Sequence, residues 1–221
     1  SRDFLNATEL ATSVNANANH SLHEITTDTD LCIVAVTDKA IETIAAQLKL
    51  RKKVLVHTAG SVSINVLKNS SPNYGVLYPL QSLRKEMTAF PTIPFLVDGN
   101  SNEVKVLLYD FAKKLSGNAE FAADKQRLQM HLSAVIVSNF TNHLYSVTED
   151  FCQKENIDFK VLLPLMQETV NRITTFSPKD VQTGPAVRND VFTLDKHLRL
   201  LSAHPKLKYL YLKLTDSIMN P

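Results

Sequence analysis

Short apolar runs alternate with stretches of helical spacing in the first half of the chain. Four runs have the length of strands: 30–36 (DLCIVAV), 52–61 (KKVLVHTAGS), 74–83 (YGVLYPLQSL) and 92–99 (TIPFLVDG). The unbroken apolar character of DLCIVAV predicts a parallel strand that is covered on both faces. Helical spacing marks the segments ATELATSV, KAIETIAAQL and NEVKVLLYDFAKKLSG, the last of which ends at Gly117.

The pattern changes after Gly117. Residues 119–155 predict one helix of about nine turns. Three further helices are predicted, at 158–173, 191–204 and 205–218. The predicted fold class is therefore α/β followed by all-α, with a Rossmann-like, mostly parallel sheet in residues 1–118 and a helical bundle domain in residues 119–221.

Composition excludes several classes of protein. The chain has 221 residues, a net charge of +2 and both charge signs interspersed, so no basic stripe indicates nucleic-acid binding. No apolar run approaches the roughly 18 residues of a membrane span. Cys32 and Cys152 lie far apart and predict two reduced thiols in a cytoplasmic protein, and no spacing of metal ligands is present. The five glycines stand singly, so the chain contains no GxGxxG loop for a phosphate.

Five segments occur in an order that resembles a known family: DLCIVAVTDKAI, VLVHTAGS, YPLQSL, HLSAVIVSNFTNHLY and TGPAVRND. They resemble bacterial Rossmann-like NADP oxidoreductases with a helical C-terminal domain of unknown function. Those proteins are distant relatives of pyrroline-5-carboxylate reductase and of deazaflavin-dependent NADP reductases. The family's pattern begins with a strand, a GxGxxA loop, a helix and a second strand ending in Ser-Arg. The resemblance therefore implies that this chain starts at that Ser-Arg, without the glycine loop. The alternative is a complete protein with another strand order.

For the complete protein, the resemblance implies NADP as cofactor and reduction of a small carbonyl or imine compound, with the substrate in a cleft between the two domains. The 221-residue chain itself is expected to bind either dinucleotide only weakly. The alternative is a non-catalytic protein that senses a dinucleotide or acts as a scaffold. Ser1 and Arg2 are expected to bind cofactor, because an Arg there can pair with the 2′-phosphate of NADP; a frayed terminus is the other interpretation. Further cofactor contacts are expected from residues at two strand ends: Val36, Thr37, Asp38, His57, Gly60 and Ser61. Thr37 or Asp38 can equally serve as a helix cap.

Candidate catalytic residues are His57 or His131 as proton donor, together with Asn142 and Arg188. At 100° per residue, one face of the long helix collects polar side chains: Asp124, Arg127, His131, Ser138, Asn142, Tyr145 and Glu149. That face is either solvated or lines a cleft against the sheet. Substrate contacts are expected from Gln81, Ser138, Asn139, Thr183, Gly184 and Asp190.

The segment TGPAVRND favours an anion site, because Pro185 can begin a helical turn with free amides and Arg188 can grip a carboxylate. Asp190 is expected to orient Arg188, and the alternative is a capped turn with a structural ion pair. One pocket is predicted to collect seven residues: His57, Gly60, Ser61, Gln81, His131, Asn142 and Arg188.

A homodimer is predicted, in part from the resemblance. The long helix has a wide apolar stripe, and Leu207, Leu210, Tyr211 and Leu214 share a face of the last helix. About a hundred residues of helix form only a limited core, so a second copy would cover the remaining apolar surface. The alternative is that the α/β part covers it.

Overall fold

The structure is a computed structural model that describes residues 3–22, 29–84, 86, 87, 89 and 91–220. It divides into two compact units, Ser1–Ser138 and Asn139–Pro221. The sequence predicted a domain boundary between residues 118 and 119, which is twenty residues before this division. The domain limits therefore stay a prediction. None of the helices in the described part of the chain is long and apolar enough to cross a lipid bilayer.

A five-stranded sheet in the order β1-β2-β3-β4-β5 forms the centre of the first unit, as far as that unit is described. Its strands are β1 (Leu31–Val34), β2 (Val54–His57), β3 (Asn73–Pro79), β4 (Phe95–Gly99) and β5 (Ala119–Phe121). β1, β2 and β3 are parallel, β4 is antiparallel to β3, and β5 is parallel to β4. The predicted fold class, a mostly parallel sheet followed by a helical region, is confirmed.

Helices lie on both faces of the sheet: α2 (Asp38–Ala46) packs on one face and α3 (Asn102–Ser116) on the other. The first unit also contains α1 (Phe4–Ser13), α4 (Asp124–Ala134) and a 3₁₀ turn at Ile64–Leu67. Sequence signals explain the ends of α3: the Ser101 hydroxyl accepts a hydrogen bond from the N–H of Val104, and Gly117 closes the helix at φ 73°.

Side chains of β2 alternate between two apolar layers. Val54 and Val56 pack in the layer that includes α3, whereas Leu55 packs in the layer that includes α2. His57 shares the side of Leu55, since every second residue of a strand faces the same way. This alternation places a histidine, fully buried, at the carboxyl end of the strand.

β1 is not covered as its sequence predicted. Within the described residues its only strand partner is β2, so it forms an edge of the sheet. Only Val34 is buried, and the side chain of Ile33 is 46% exposed. A run of apolar residues indicates that a strand tends to be buried, but it does not show which elements will cover the strand.

The single long helix predicted for residues 119–155 is wrong in two respects. Its first residues form β5, which pairs with β4, and α4 begins only at Asp124. A π-helical segment, Val135–Phe140, then separates α4 from α5 (Thr141–Lys154). Because π-helical turns hold more residues than α-helical turns, the spacing of 100° per residue does not carry from α4 into α5. The polar face inferred across the whole segment therefore holds only within α4.

The second unit contains α5 and three further helices, α6 (Leu163–Arg172), α7 (Val191–Leu200) and α8 (Pro205–Met219), which the sequence predicted. Its buried apolar residues are few: Val147, Cys152, Ala186, Leu194 and Leu201. None of the described residues of α6 or α8 is buried. Glu155, at the end of α5, accepts a hydrogen bond from buried His204, which precedes α8, with an Oε1–Nε2 distance of 2.8 Å.

Candidate functional site

The carboxyl ends of β1, β2 and β3 lie at the same edge of the sheet, because the three strands are parallel and in register. Ligands of open α/β sheets bind at such an edge. Three segments follow these ends, 35–38, 58–63 and 80–82, and they carry most of the predicted site residues of the first unit.

A hydrogen bond joins the first two of these segments. The Ser61 hydroxyl donates to Oδ2 of Asp38 at 2.5 Å. Thr37 occupies the N-cap position of α2 but makes no side-chain capping bond, and Asp38 is the first helical residue. Val36, Thr37 and Asp38 are exposed. The three predicted cofactor residues after β1 are thus accessible, and one of them is bonded to a fourth, Ser61.

A cavity of about 1040 Å³ adjoins β1 and lies within the first unit. Its lining includes Cys32 and Ile33 from β1, Val36 and Thr37 from the following segment, and Ile44 from α2. Burial raises the pKa of the Cys32 thiol, although the charge of Lys53 opposes that shift. Most residues of the cavity wall are apolar, and Asn19, His20, Ser21, Thr37 and Gln47 add polar groups to it.

Arg127 attaches α4 to the segment that follows β2. Its side chain is 1% exposed, donates a hydrogen bond to the Val62 carbonyl, and forms an ion pair with Asp124 at 2.8 Å. Asp124 also accepts from the N–H of Ile64 at 3.3 Å. Burial alone would raise the pKa of Asp124, but hydrogen bonds from Ser63, Arg127 and Ile64 and the Arg127 charge outweigh it and lower that pKa.

His131 lies one turn beyond Arg127 on the same face of α4. Its Nδ1 is 2.9 Å from the hydroxyl of Tyr78, and the two rings meet edge to face with centroids 5.9 Å apart. A Cβ atom on Gly60 would lie 2.8 Å from Cγ and Nδ1 of His131 and 2.9 Å from Cζ of Tyr78. Only glycine lets the segment after β2 approach both rings so closely.

His57 is held in the neutral state. Burial, followed by the positive charge of Arg127, lowers the pKa of His57 to about 4, and Asp124, the Ser63 backbone and Asp38 oppose this only in part. Nδ1 accepts a hydrogen bond from the N–H of Ala59 at 3.1 Å. His57 is therefore uncharged near neutral pH, with Nδ1 hydrogen-bonded and with Nε2 buried without a hydrogen-bond partner among the described residues.

The structure brings together Asp38, Gly60, Ser61 and His131 through direct contacts, with buried His57 at the same strand end. Gln81 is exposed after β3, and Ser1 and Arg2 lie outside the described residues. Ser138 and Asn139 are exposed on the π-helical segment. The remaining predicted residues, Asn142, Thr183, Gly184, Arg188 and Asp190, belong to the second unit. The predicted shared pocket stays a prediction.

Within the second unit, Asn142 lines a groove of about 720 Å³ between α5 and α6, together with Tyr145 and Glu149. Gly184 has φ 110° and Arg188 is exposed. Asp190 caps α7, accepting from the N–H and the hydroxyl of Thr193 at 3.1 and 2.8 Å, and these bonds lower its pKa.

Two residues of the site were not assigned a role from the sequence: Tyr78 and Arg127. Tyr78 is the last residue but one of β3 and lies three positions before the predicted contact Gln81, so its position near a strand end was a usable signal. Arg127 belongs to the polar face predicted on the helix, but its complete burial depends on the loop that packs over it. Within the described residues, no group of three or more His, Cys, Asp or Glu side chains is arranged to hold a metal ion.

Solved structures similar to this chain come from several bacteria. A Bacteroides fragilis protein named "putative NADP oxidoreductase" is 37% identical, with a TM-score of 0.89, over 100% of this chain and 87% of its own. A Thermotoga maritima protein is 24% identical, with a TM-score of 0.74, over 99% and 87%. 1-Pyrroline-5-carboxylate reductase from Streptococcus pyogenes is 15% identical, with a TM-score of 0.60, over 99% and 87%, which shows a shared fold.

Comparison of the sequence with protein families gives one match. Residues 93–218 match the family described as "Domain of unknown function (DUF2520)". No curated protein shows significant sequence similarity to the chain. The resemblance to Rossmann-like oxidoreductases with a helical C-terminal domain of unknown function is thereby confirmed. From this match and the 37% identity to the Bacteroides fragilis protein over the whole chain, we conclude that the chain belongs to the DUF2520 family.

Proposed function

We propose that this protein is an NADP-dependent oxidoreductase that reduces a small carbonyl or imine compound. The observation that carries the proposal is the Tyr78–His131 pair, packed on Gly60 at the carboxyl edge of three parallel strands. Such a pair supplies a hydrogen-bond and proton donor at the edge where this type of sheet binds ligands. The name of the Bacteroides fragilis protein supports the same cofactor and the same class of reaction.

The cavity beside β1 is compatible with a nicotinamide dinucleotide. Its volume of about 1040 Å³ lies at the upper end of typical ligand pockets, and its wall includes Val36 and Thr37 at the strand end. Backbone groups of these two residues would hold ribose and phosphate, with Asp38 and Ser61 beside them. The bound nicotinamide would supply the hydride. The preference for NADP over NAD is inferred from Arg2, whose guanidinium would pair with the 2′-phosphate.

His131 is the better proton donor of the two candidate histidines. His57 is buried and its pKa is lowered to about 4, so it carries no transferable charge near neutral pH. His131 is only partly buried. When the carbonyl or imine carbon is reduced, the π electrons of the C=O or C=N bond would move to the heteroatom, and His131 would give that heteroatom a proton.

The proposed substrate contacts in the second unit are Asn142, Thr183, Gly184, Arg188 and Asp190. The exposed guanidinium of Arg188 would bind an anionic group of the substrate bidentately. Ser138, Asn139 and Gln81 offer exposed amide and hydroxyl groups for its polar atoms.

Binding and turnover test this function separately. In the full-length protein, we expect NADPH to quench or shift intrinsic tyrosine fluorescence at lower concentration than NADH, and we expect Arg2→Ala to remove the difference. Arg51→Ala, an exposed arginine before β2, is the matched control. Equal affinity for both nucleotides in the unchanged protein would contradict the NADP assignment.

Turnover is measured as NADPH oxidation with a panel of imines, keto acids and aldehydes. His131→Asn should lower kcat by about 100-fold or more, whereas His143→Asn, at an exposed position of α5, should leave it unchanged. Nucleotide binding without turnover of any compound would favour the sensing alternative. Failure of the full-length protein to bind either nucleotide would refute the proposal.

A homodimer through the helical unit is part of the same proposal. None of the described residues of α6 or α8 is buried, and large apolar side chains are exposed on both helices: Leu163, Leu165, Val170, Tyr209, Leu212 and Leu214. Each 100 Å² of this surface covered by a second copy would contribute about 2.5 kcal/mol before association costs. Light scattering should give the mass of two chains, and a single-chain mass that persists at tenfold higher concentration would refute the dimer.

A further inference from the structure

Tyr78 contacts the candidate proton donor directly. It is the last residue but one of β3, and its hydroxyl lies 2.9 Å from Nδ1 of His131, a residue 53 positions later in the chain. Both side chains are partly buried. This distance is that of a hydrogen bond, so one of the two atoms donates and the other accepts.

The chemistry of the two groups decides the direction of that bond. Burial raises the pKa of Tyr78, and the negative charge of Asp38 raises it further. The phenol therefore keeps its hydrogen near neutral pH and has it available to donate. A neutral imidazole has one nitrogen that accepts, and the hydrogen bond at that nitrogen determines which tautomer is present.

The His131 ring is closely packed beside this partner. Gly60 lies against the ring: a Cβ atom added to Gly60 would lie only 2.8 Å from Nδ1 of His131. One helical turn before His131, Arg127 donates to the Val62 carbonyl, and about two turns before it, Asp124 accepts from the N–H of Ile64. The helix, the segment after β2 and the end of β3 therefore set the ring position together.

We propose that Tyr78 is a positioning residue that donates to Nδ1 of His131 and so keeps the neutral ring in the tautomer with its hydrogen on Nε2. Nε2 then offers an N–H whether the ring is neutral or protonated. The use of that N–H on a carbonyl oxygen or imine nitrogen rests on the proposed function, whereas the tautomer itself does not. A donor held in place where negative charge develops stabilises the transition state without reorganisation.

Nitrogen-15 NMR of the histidine rings tests the tautomer in the unchanged protein. Two-bond ¹⁵N–¹H correlation spectra distinguish a protonated from an unprotonated ring nitrogen, and the His131 signals are assigned from their loss in His131→Asn. At a pH where the ring is neutral, we expect Nδ1 to be unprotonated and Nε2 to be protonated. A neutral ring with its hydrogen on Nδ1, or an even mixture of tautomers, would overturn the proposal.

Tyr78→Phe keeps the ring contact and removes the hydroxyl. We expect the His131 signals to move toward the average of the two tautomers. Tyr74→Phe is the matched control, because Tyr74 lies on the same strand and its hydroxyl donates to Asn65 at 3.3 Å instead. Identical His131 signals in Tyr78→Phe and the unchanged protein would refute the role of Tyr78.

Activity gives an independent measurement. If the oxidoreductase is active, Tyr78→Phe should lower kcat by about 10- to 100-fold with KM nearly unchanged, because the donor is misplaced and binding is not. Tyr74→Phe should leave kcat unchanged. If the NMR spectra show the expected tautomer but no compound is turned over, the proposed function is rejected and the role of Tyr78 in positioning the ring is retained. An unchanged kcat in active Tyr78→Phe would reject that role in catalysis.

Discussion

The buried ion pair of Arg127 is expected to hold α4 on the segment after β2, and Arg127→Met tests this. The methionine keeps most of the side-chain volume but leaves the Val62 carbonyl without its donor and Asp124 without its counter-charge. Breaking a fully buried pair from one side costs about 3–5 kcal/mol. Two features reduce that cost here: the Asp124 side chain is 38% exposed, and Nε of Arg127 has no partner among the described residues. We expect a loss of about 2 kcal/mol in the free energy of unfolding.

Arg199→Met is the matched control. Arg199 pairs with Asp195 at 2.7 Å, a distance close to that of the Arg127 pair, but their side chains are 79% and 54% exposed. Exposed pairs contribute about 0–1 kcal/mol, so this variant should be close to the unchanged protein. Urea denaturation of the three proteins at neutral pH measures the difference. Equal midpoints for the two variants would refute the argument from burial.

Acid adds a second signature of the same pair. The pKa of Asp124 is lowered in the folded state, so its contribution to stability is present above its ordinary value of 3.8 and is lost as pH falls toward the lower folded value. The stability gap between the unchanged protein and Arg127→Met should therefore narrow below that pH. A constant gap at acid pH would show that the Asp124 charge is not involved.

Further predictions concern the neighbours of this pair. Gly60→Ala should lower the free energy of unfolding by about 1–3 kcal/mol and displace the His131 ring, because the added Cβ has no room. Gly117→Ala, at φ 73° in open space, should lower the free energy of unfolding by only about 1 kcal/mol and leave the His131 NMR signals unchanged. Folding lowers the pKa of His57 from 6.5 to about 4, so the unfolded chain binds the proton first and stability falls as pH drops below 6.5. Relative to His57→Gln, the unchanged protein should lose about 2 kcal/mol between pH 8 and 5 in urea titrations, and parallel pH profiles would refute a neutral buried His57.

Much of the candidate site could be predicted, because its residues lie at the ends of strands that the sequence indicates. The apolar runs place His57 at the end of β2 and Thr37 and Asp38 after β1, and parallel strands bring such ends to one edge. The contact between Tyr78 and His131 does not follow in this way. Strand β3 and helix α4 are separated by two strands and a helix along the chain, and only packing decides which turn of α4 lies over Gly60.

The sequence by itself determined the elements whose signals are local. The spacing of apolar residues and Gly117 define α3, and strand-length apolar runs define β1 to β4, because backbone geometry fixes these periods within a few residues. Tertiary structure alone decided three features. Ala119–Phe121 forms a strand because β4 offers it a partner, β4 runs antiparallel to β3, and Arg127 is buried because the segment after β2 covers it. Each of these three features depends on contacts with residues that are distant in the chain. Such contacts outweigh the local preference of a segment for helix or strand when they supply hydrogen bonds and exclude water.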